Sequence, residues 1–171
     1  MQRAKLQKMM LLAMMIALDV VLSPMFRVEG MAPMSSVMNV LAGGLLGPVY
    51  GTVMALSCGI IRMLLLGIPP LALTGAVFGA FLAGLLYRVT GSIYGSMSGE
   101  IIGTGIIGSL LSYPVMVFFT GSQQGLYWII YTPRFIGAAL IGSFVALFVW
   151  KLICRVPVFK RCQQLFGGIK S

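Results

Sequence analysis

Residues 30–61 read GMAPMSSVMNVLAGGLLGPVYGTVMALSCGII, 32 positions without a formal charge. Two further charge-free stretches follow, Met63 to Tyr87 with 25 residues and Ile101 to Pro133 with 33. A helix that crosses a bilayer needs about 20 predominantly apolar residues, so each stretch is long enough to cross. The whole chain agrees: 12 Lys or Arg and 3 Asp or Glu among 171 residues, a charged fraction of 9%, and a mean hydropathy of +1.02. A water-soluble domain carries roughly a quarter of its residues charged. The chain reads as an all-α integral membrane protein forming one domain.

Six spans take roughly 120 residues and leave about 50 for connections, whereas eight leave almost none. The breaks place the six helices at about 5–22, 33–46, 49–66, 71–88, 99–120 and 133–154, with a basic, unstructured cytoplasmic tail over 155–171. Pro33 suits a first helical turn. Gly47-Pro48 ends that helix after 14 residues, roughly 21 Å, which is short for a crossing. Gly67-Ile68-Pro69-Pro70 and the Gly- and Ser-rich stretch 89–98 are the next stops, and Pro114 marks a kink in the fifth helix. Arg3, Lys5 and Lys8 before an apolar run also suit a signal peptide, but Asp19 and the absence of a small-x-small site before Ser23-Pro24 favour a retained helix. With both termini cytoplasmic, 9 of the 12 cations fall on inner segments, as the positive-inside rule requires.

Composition also excludes chemistry. There is no His, which removes the usual general base and the commonest metal ligand, and the chain reads as no enzyme. Cys58, Cys154 and Cys162 show neither a disulfide framework nor zinc spacing. The cations gather beside apolar segments at the termini, which suits anionic lipid of the bilayer and excludes nucleic acid as the partner. A phosphate-binding P-loop is missing; Gly167-Gly168-Ile169-Lys170-Ser171 has an Ile in the wrong place. A substrate-binding subunit that borrows its motor fits these facts.

Small residues recur every fourth position at Gly51, Ala55 and Gly59, at Gly75, Gly79 and Ala83, and at Ala138, Gly142 and Ala146, a pattern that lets helices pack closely. Ala13 and Ala17 stand apart, since the rest of the first helix is bulky; they form either a partner's seat or a chance pair. Charges within apolar segments carry more weight, because they face a partner or a cavity. Asp19, Arg62 and Arg134 lie near the outer boundary and join Arg27 and Glu29 of the first outer loop, either as a frame of ion pairs or as part of a pocket. Glu100, by contrast, falls near the inner end beside Arg88, where structural pairing is expected. The last outer loop and its flank, Gln123 to Tyr131, are rich in amides and aromatics. They form either an interfacial belt or a pocket wall in which Tyr127, Trp128 or Tyr131 stacks on a flat ring and Gln124 fixes its polar atoms. Asn39, Tyr113 and Thr74 offer polar contacts lower in the bundle.

Several segments carry a resemblance. The basic N-terminus leading to Ala13-x-x-x-Ala17 is similar to the motif by which S components of energy-coupling factor (ECF) transporters dock on their transmembrane partner. The run from Ser23 to Met34, which contains Arg27-Val28-Glu29-Gly30-Met31-Ala32-Pro33, resembles the ThiW family, as do Asn39-Val40, Leu45-Leu46-Gly47-Pro48 and Gly99-Glu100-Ile101-Ile102-Gly103-Thr104-Gly105. The likeness extends from about Lys8 to Cys154. It implies a six-transmembrane-helix S component in a bacterial plasma membrane that captures the thiamin precursor hydroxyethylthiazole in its outer half. Ala13 and Ala17 would couple it to a T component and two ATPases, which hydrolyse the ATP, so this chain itself needs no cofactor and no metal. The alternatives are an S component for another vitamin precursor and a non-transporting six-helix scaffold subunit.

Overall fold

The computed structural model describes residues 2–27, 31–121 and 127–166, apart from a few side chains inside its helices. The described elements are helical: α1 (Gln2–Met25), α2 (Pro33–Leu66), α3 (Leu71–Thr90), α4 (Ile93–Glu100), a π-helix (Ile101–Gly108), α5 (Ser109–Thr120), α6 (Tyr127–Ile153) and α7 (Pro157–Leu165). Five helical stretches among the described residues are long and apolar enough to cross a membrane: Gln2–Met25, Pro33–Leu66, Ala72–Thr90, Ile93–Phe119 and Tyr131–Ile153.

The second of these does not run straight. Gly47 takes φ 76° and ψ −176°, a backbone that L side chains rarely adopt, and Pro48 follows without an N–H to continue the ladder. In an unbroken helix residues 42 and 51 stand about 13 Å apart, yet a Cβ placed on Gly51 would lie 3.9 Å from the Ala42 backbone. Farther along the same two arms, Arg62 Nη2 reaches Ser35 Oγ at 3.3 Å. Residues 33–46 and 48–66 therefore fold back as an antiparallel hairpin, whose first arm is buried almost throughout while the second leaves Val49, Val53, Leu56, Ile60 and Leu64 exposed on one face.

The small-residue ridges serve packing. A Cβ on Gly51 would sit 3.6 Å from the Ala80 carbonyl oxygen, and one on Gly142 would meet the Pro33 carbonyl oxygen at 2.5 Å. Ala55, Ala76 and Ala80 form a buried apolar cluster. The tightest seam joins α3 to the continuous helix 93–120: a Cβ on Gly99 would strike the Leu82 carbonyl, one on Gly103 would come 2.5 Å from the Phe78 oxygen, and one on Gly108 would come 2.5 Å from Gly75 Cα. The spacing of these glycines widens from four to five residues across the π-helix. Because a π-turn closes with i→i+5 hydrogen bonds, that widening keeps Gly108 on the face that Gly99 and Gly103 present to α3.

Three boundaries differ from the sequence expectations. The fifth apolar segment begins at Ile93, not near 99, because the Ser92 side chain caps it by accepting a hydrogen bond from Tyr94 N at 3.3 Å. The last long helix starts at Tyr127 instead of 133, with Pro133 inside its early turns. The tail is helical over Pro157–Leu165; residues 167–171 lie outside the described residues. Its helix α7 lies across the bundle end, where Gln163 Nε2 donates to Gly44 O at 3.0 Å and to Tyr87 Oη at 2.9 Å. Phe166 is buried there beneath Lys8, whose ammonium lies 5.6 Å from the ring centroid. The start of α1 and the end of α7 thus share one end of the bundle.

Gly103→Ala should lower the thermal stability of the detergent-purified protein by about 1–3 kcal/mol, since the added methyl meets backbone on a rigid neighbour. A melting temperature equal to the parent's would show that the α3 seam is looser than described.

Candidate functional site

At the opposite end of the bundle a cavity of about 180 Å³ opens among the end of α1, the start and end of α2, the start of α3, the π-helix and the start of α6. Its wall includes Ser23 and Pro24 from α1, Arg27, Met31 and Ala32 from the following segment, and Ser35, Ser36, Asn39 and Arg62 from the two arms of α2. Ile68, Pro69, Ala72, Gly75 and Ala76 form a second side, and Glu100 and Thr104 a third. Tyr131, Arg134, Phe135 and Ala138 complete it from α6. Tyr131 and Phe135 stand one turn apart on one helix face, which gives the cavity an aromatic wall; the Arg134 guanidinium lies 6.0 Å from the Tyr131 ring centroid.

Its polar residues are deeply buried. Asn39 is 1% exposed, Glu100 0% and Arg62 3%. Asn39 Nδ2 donates to Ala76 O at 3.2 Å and to Glu100 Oε1 at 3.3 Å, an arrangement that fixes the orientation of the amide. Thr104 Oγ1 lies 2.8 Å from the same Glu100 Oε1 and 2.9 Å from Gly75 O. Among the described residues, Glu100 Oε2, Asn39 Oδ1 and Arg62 Nε have no hydrogen-bond partner. Gly79 makes room for this group, since a Cβ there would collide with Thr104 Oγ1 and the Glu100 carboxyl.

Behind Arg62 lies Asp19, fully buried on α1. Ser23 Oγ donates to its Oδ1 at 2.6 Å. The Arg62 guanidinium acts on this carboxylate electrostatically.

The residues named from the sequence divide accordingly. Asn39, Tyr131, Arg27, Arg62 and Arg134 line one cavity; Asp19 sits just outside it as a partner of Ser23 and Arg62. Tyr113 does not line the cavity, and Thr74 turns its hydroxyl to Gly108 O at 3.3 Å. Gln124, Glu29 and the side chains of Tyr127 and Trp128 lie outside what is described. Ala13 and Ala17 are exposed on α1, on a face apart from the buried Leu12, Met15 and Asp19.

Glu100 requires a correction. Its expected pairing with Arg88 at the inner end does not occur, because Arg88 Nη2 donates to Phe166 O at 3.5 Å at the far end of the bundle. The helix begins at Ile93, so Glu100 lies two turns inside it, about 10 Å deeper than a start at Gly99 implies. Two signals bear on this: Ser92 is a good N-cap residue, and Gly95, Gly99 and Gly103 form one small-residue ridge only if the helix starts before them. Phe135 also went unnamed, masked among many apolar residues.

Five membrane-length helices among the described residues, with a small, polar-floored cavity between them, define a multi-pass membrane protein. The chain belongs to the ThiW family of thiamine-precursor transporter proteins, whose profile matches residues 9–156. Neither a curated protein nor a solved structure matches it.

Removing one member of a buried charge pair strands the other. Arg62→Gln should therefore lower the melting temperature, and adding Asp19→Asn should recover part of the loss. An additive double variant would mean that the two side chains do not interact.

Proposed function

We propose that the chain is the substrate-binding S component of an ECF-type importer, and that it captures hydroxyethylthiazole at the outer face of a bacterial plasma membrane. The observation that carries this reading is the cavity with Tyr131 and Phe135 on one side and Asn39, Glu100 and Arg62 on the other, in a chain of a thiamine-precursor transporter family. A flat heterocycle stacks on aromatic faces, and a few placed polar groups orient it. A volume of about 180 Å³ suits one small ring with a short substituent. In this reading the two arms of α2 each cross the membrane, which makes six crossings with both termini cytoplasmic. The cavity end then faces outward, and the end formed by Lys8, Arg88 and α7 faces the cytoplasm, as the positive-inside rule favours.

Ala13 and Ala17 supply the docking patch for a T component, which joins two ATPases that hydrolyse the ATP. Their exposure on α1, which packs along only one side against α2, supports this role, because small side chains permit close helix approach. The chain acts as a binding subunit, not as an enzyme, and holds no cofactor of its own.

Ligand titration of the purified protein tests the substrate. Hydroxyethylthiazole at a hundred times its Kd should add about 2.7 kcal/mol of stability, and Phe135→Ala or Tyr131→Ala should weaken binding by about five- to a hundredfold. Absence of a thermal shift with any thiazole, thiamin or pyrimidine compound would favour a scaffold subunit. A response to a phosphorylated thiazole alone, lost in Arg27→Gln or Arg134→Gln, would make the ligand anionic instead.

The coupling role has its own test. Ala13→Leu with Ala17→Leu should abolish uptake by the reconstituted complex while ligand binding by the isolated chain stays at the parent level. Uptake at the parent rate would remove α1 from the docking interface.

A further inference from the structure

Glu100 is a carboxyl group in the middle of an apolar bundle, and its surroundings satisfy only one of its oxygens. Thr104 and Asn39 both meet Oε1, while Oε2 is left without a partner. Asn39 repeats the pattern: its Nδ2 is used twice and its Oδ1 not at all. Both residues line the cavity and both are at least 99% buried.

A side chain placed only for structure normally has its lone pairs met, because a buried acceptor without a donor is destabilising. Here the fold spends three features on keeping the group in place: the glycine at 79, the Thr104 hydroxyl and an amide oriented by two acceptors. Two neighbouring residues that line one small cavity, each with an acceptor unmet among the described residues, select for a molecule that brings a donor. Arg62, which also lines the cavity, offers the opposite chemistry, since its Nε–H is a donor without an acceptor among the described residues.

Resting on the reading of this cavity as the transport site, we propose that Glu100, with Asn39 Oδ1, is the specificity-determining group that receives the hydrogen-bond donor of the ligand, while Arg62 faces a ring acceptor. For a hydroxyalkyl-substituted heterocycle the donor is the hydroxyl and the acceptor is the ring nitrogen. The hydroxyl then points toward Glu100 at the cavity floor and the ring lies between Arg62 and the Phe135 wall. An analogue of the same shape with an alkyl group in place of the hydroxyalkyl group would leave both acceptors unmet, and it would be rejected even though it is more apolar.

The test compares hydroxyethylthiazole with 5-ethyl-4-methylthiazole on the parent protein and on Glu100→Gln, with the melting temperature of each unliganded protein recorded alongside. The parent should bind the hydroxylated ligand at least about tenfold more tightly, and Glu100→Gln should reduce that ratio to within about threefold. Equal binding of both thiazoles by the parent overturns the proposal and leaves the transport reading standing. A full preference retained in folded Glu100→Gln also overturns it, since the hydroxyl is then read elsewhere. A parent that binds neither thiazole overturns the substrate reading itself. If Glu100→Gln does not fold, infrared difference spectra of the parent chain decide, because the sequence holds only three Asp or Glu: a ligand-induced shift of a side-chain carboxyl band that the ethyl analogue does not produce supports the assignment, and its absence overturns it.

Discussion

The rest of the structure depends on the close approach of α3 to the helix 93–120. Where two helices meet at glycines their backbones replace side chains at the contact, and dispersion and weak C–H···O contacts hold them in a medium where the hydrophobic effect between helices is absent. Gly99 and Gly103 press on carbonyls of α3, and Gly108 presses on Gly75. The seam also sets the polar chemistry. Between the glycine contacts, Glu100 and Thr104 turn toward Gly75 and Gly79, so a carboxyl group that the bilayer would exclude lies enclosed by protein. An ordinary α-turn in place of the π-helix would rotate Gly108 off the seam and close less of the bundle around that carboxyl.

The two ends of the bundle are built on different principles. At the end that carries α7, aromatic rings pack edge to face, with Trp150 4.8 Å from Phe159 and Tyr50 4.9 Å from Phe166, and Gln163 ties the tail to the α2 hairpin turn and to α3. Few polar groups there go unmet. At the cavity end, polar atoms on α1, α2 and the helix 93–120 stay without partners. Stability is concentrated at one end and unmet hydrogen-bonding capacity at the other, which is the usual division between a scaffold and a site.

Much of the fold was legible because bilayer physics writes it in long runs. Charge-free stretches gave the apolar helices, Gly47-Pro48 gave the break in α2, and the cation distribution matched the gathering of both chain ends. The charges Arg27, Arg62 and Arg134 do converge. What escaped was depth. Whether Glu100 is terminal or internal turns on a single N-cap, and Ser92 was read as linker because Gly and Ser also make linkers. Phe135 escaped for a different reason: an aromatic that lines a cavity has the same letter as one that faces lipid, and only tertiary packing distinguishes it from the exposed Phe144 or Phe148. Tyr113 shows the converse, a polar aromatic inside an apolar helix that packs away from the cavity.

The geometry of α1 connects the proposed docking patch to the cavity. Leu12, Met15, Asp19 and Ser23 form its buried face, while Ala13 and Ala17 look outward. Ser23 and Pro24, at its end, line the cavity. A partner that seats on Ala13 and Ala17 therefore touches a rigid rod whose far end is part of the site wall, one turn beyond the Asp19 carboxylate that Arg62 faces. Any tilt of that rod changes the distance between Asp19 and Arg62, and with it the position of the guanidinium that the ligand would meet. On the proposed reading, docking and ligand release are coupled through the electrostatic interaction of these two buried groups, with no need for a rearrangement of α3 or of the glycine seam.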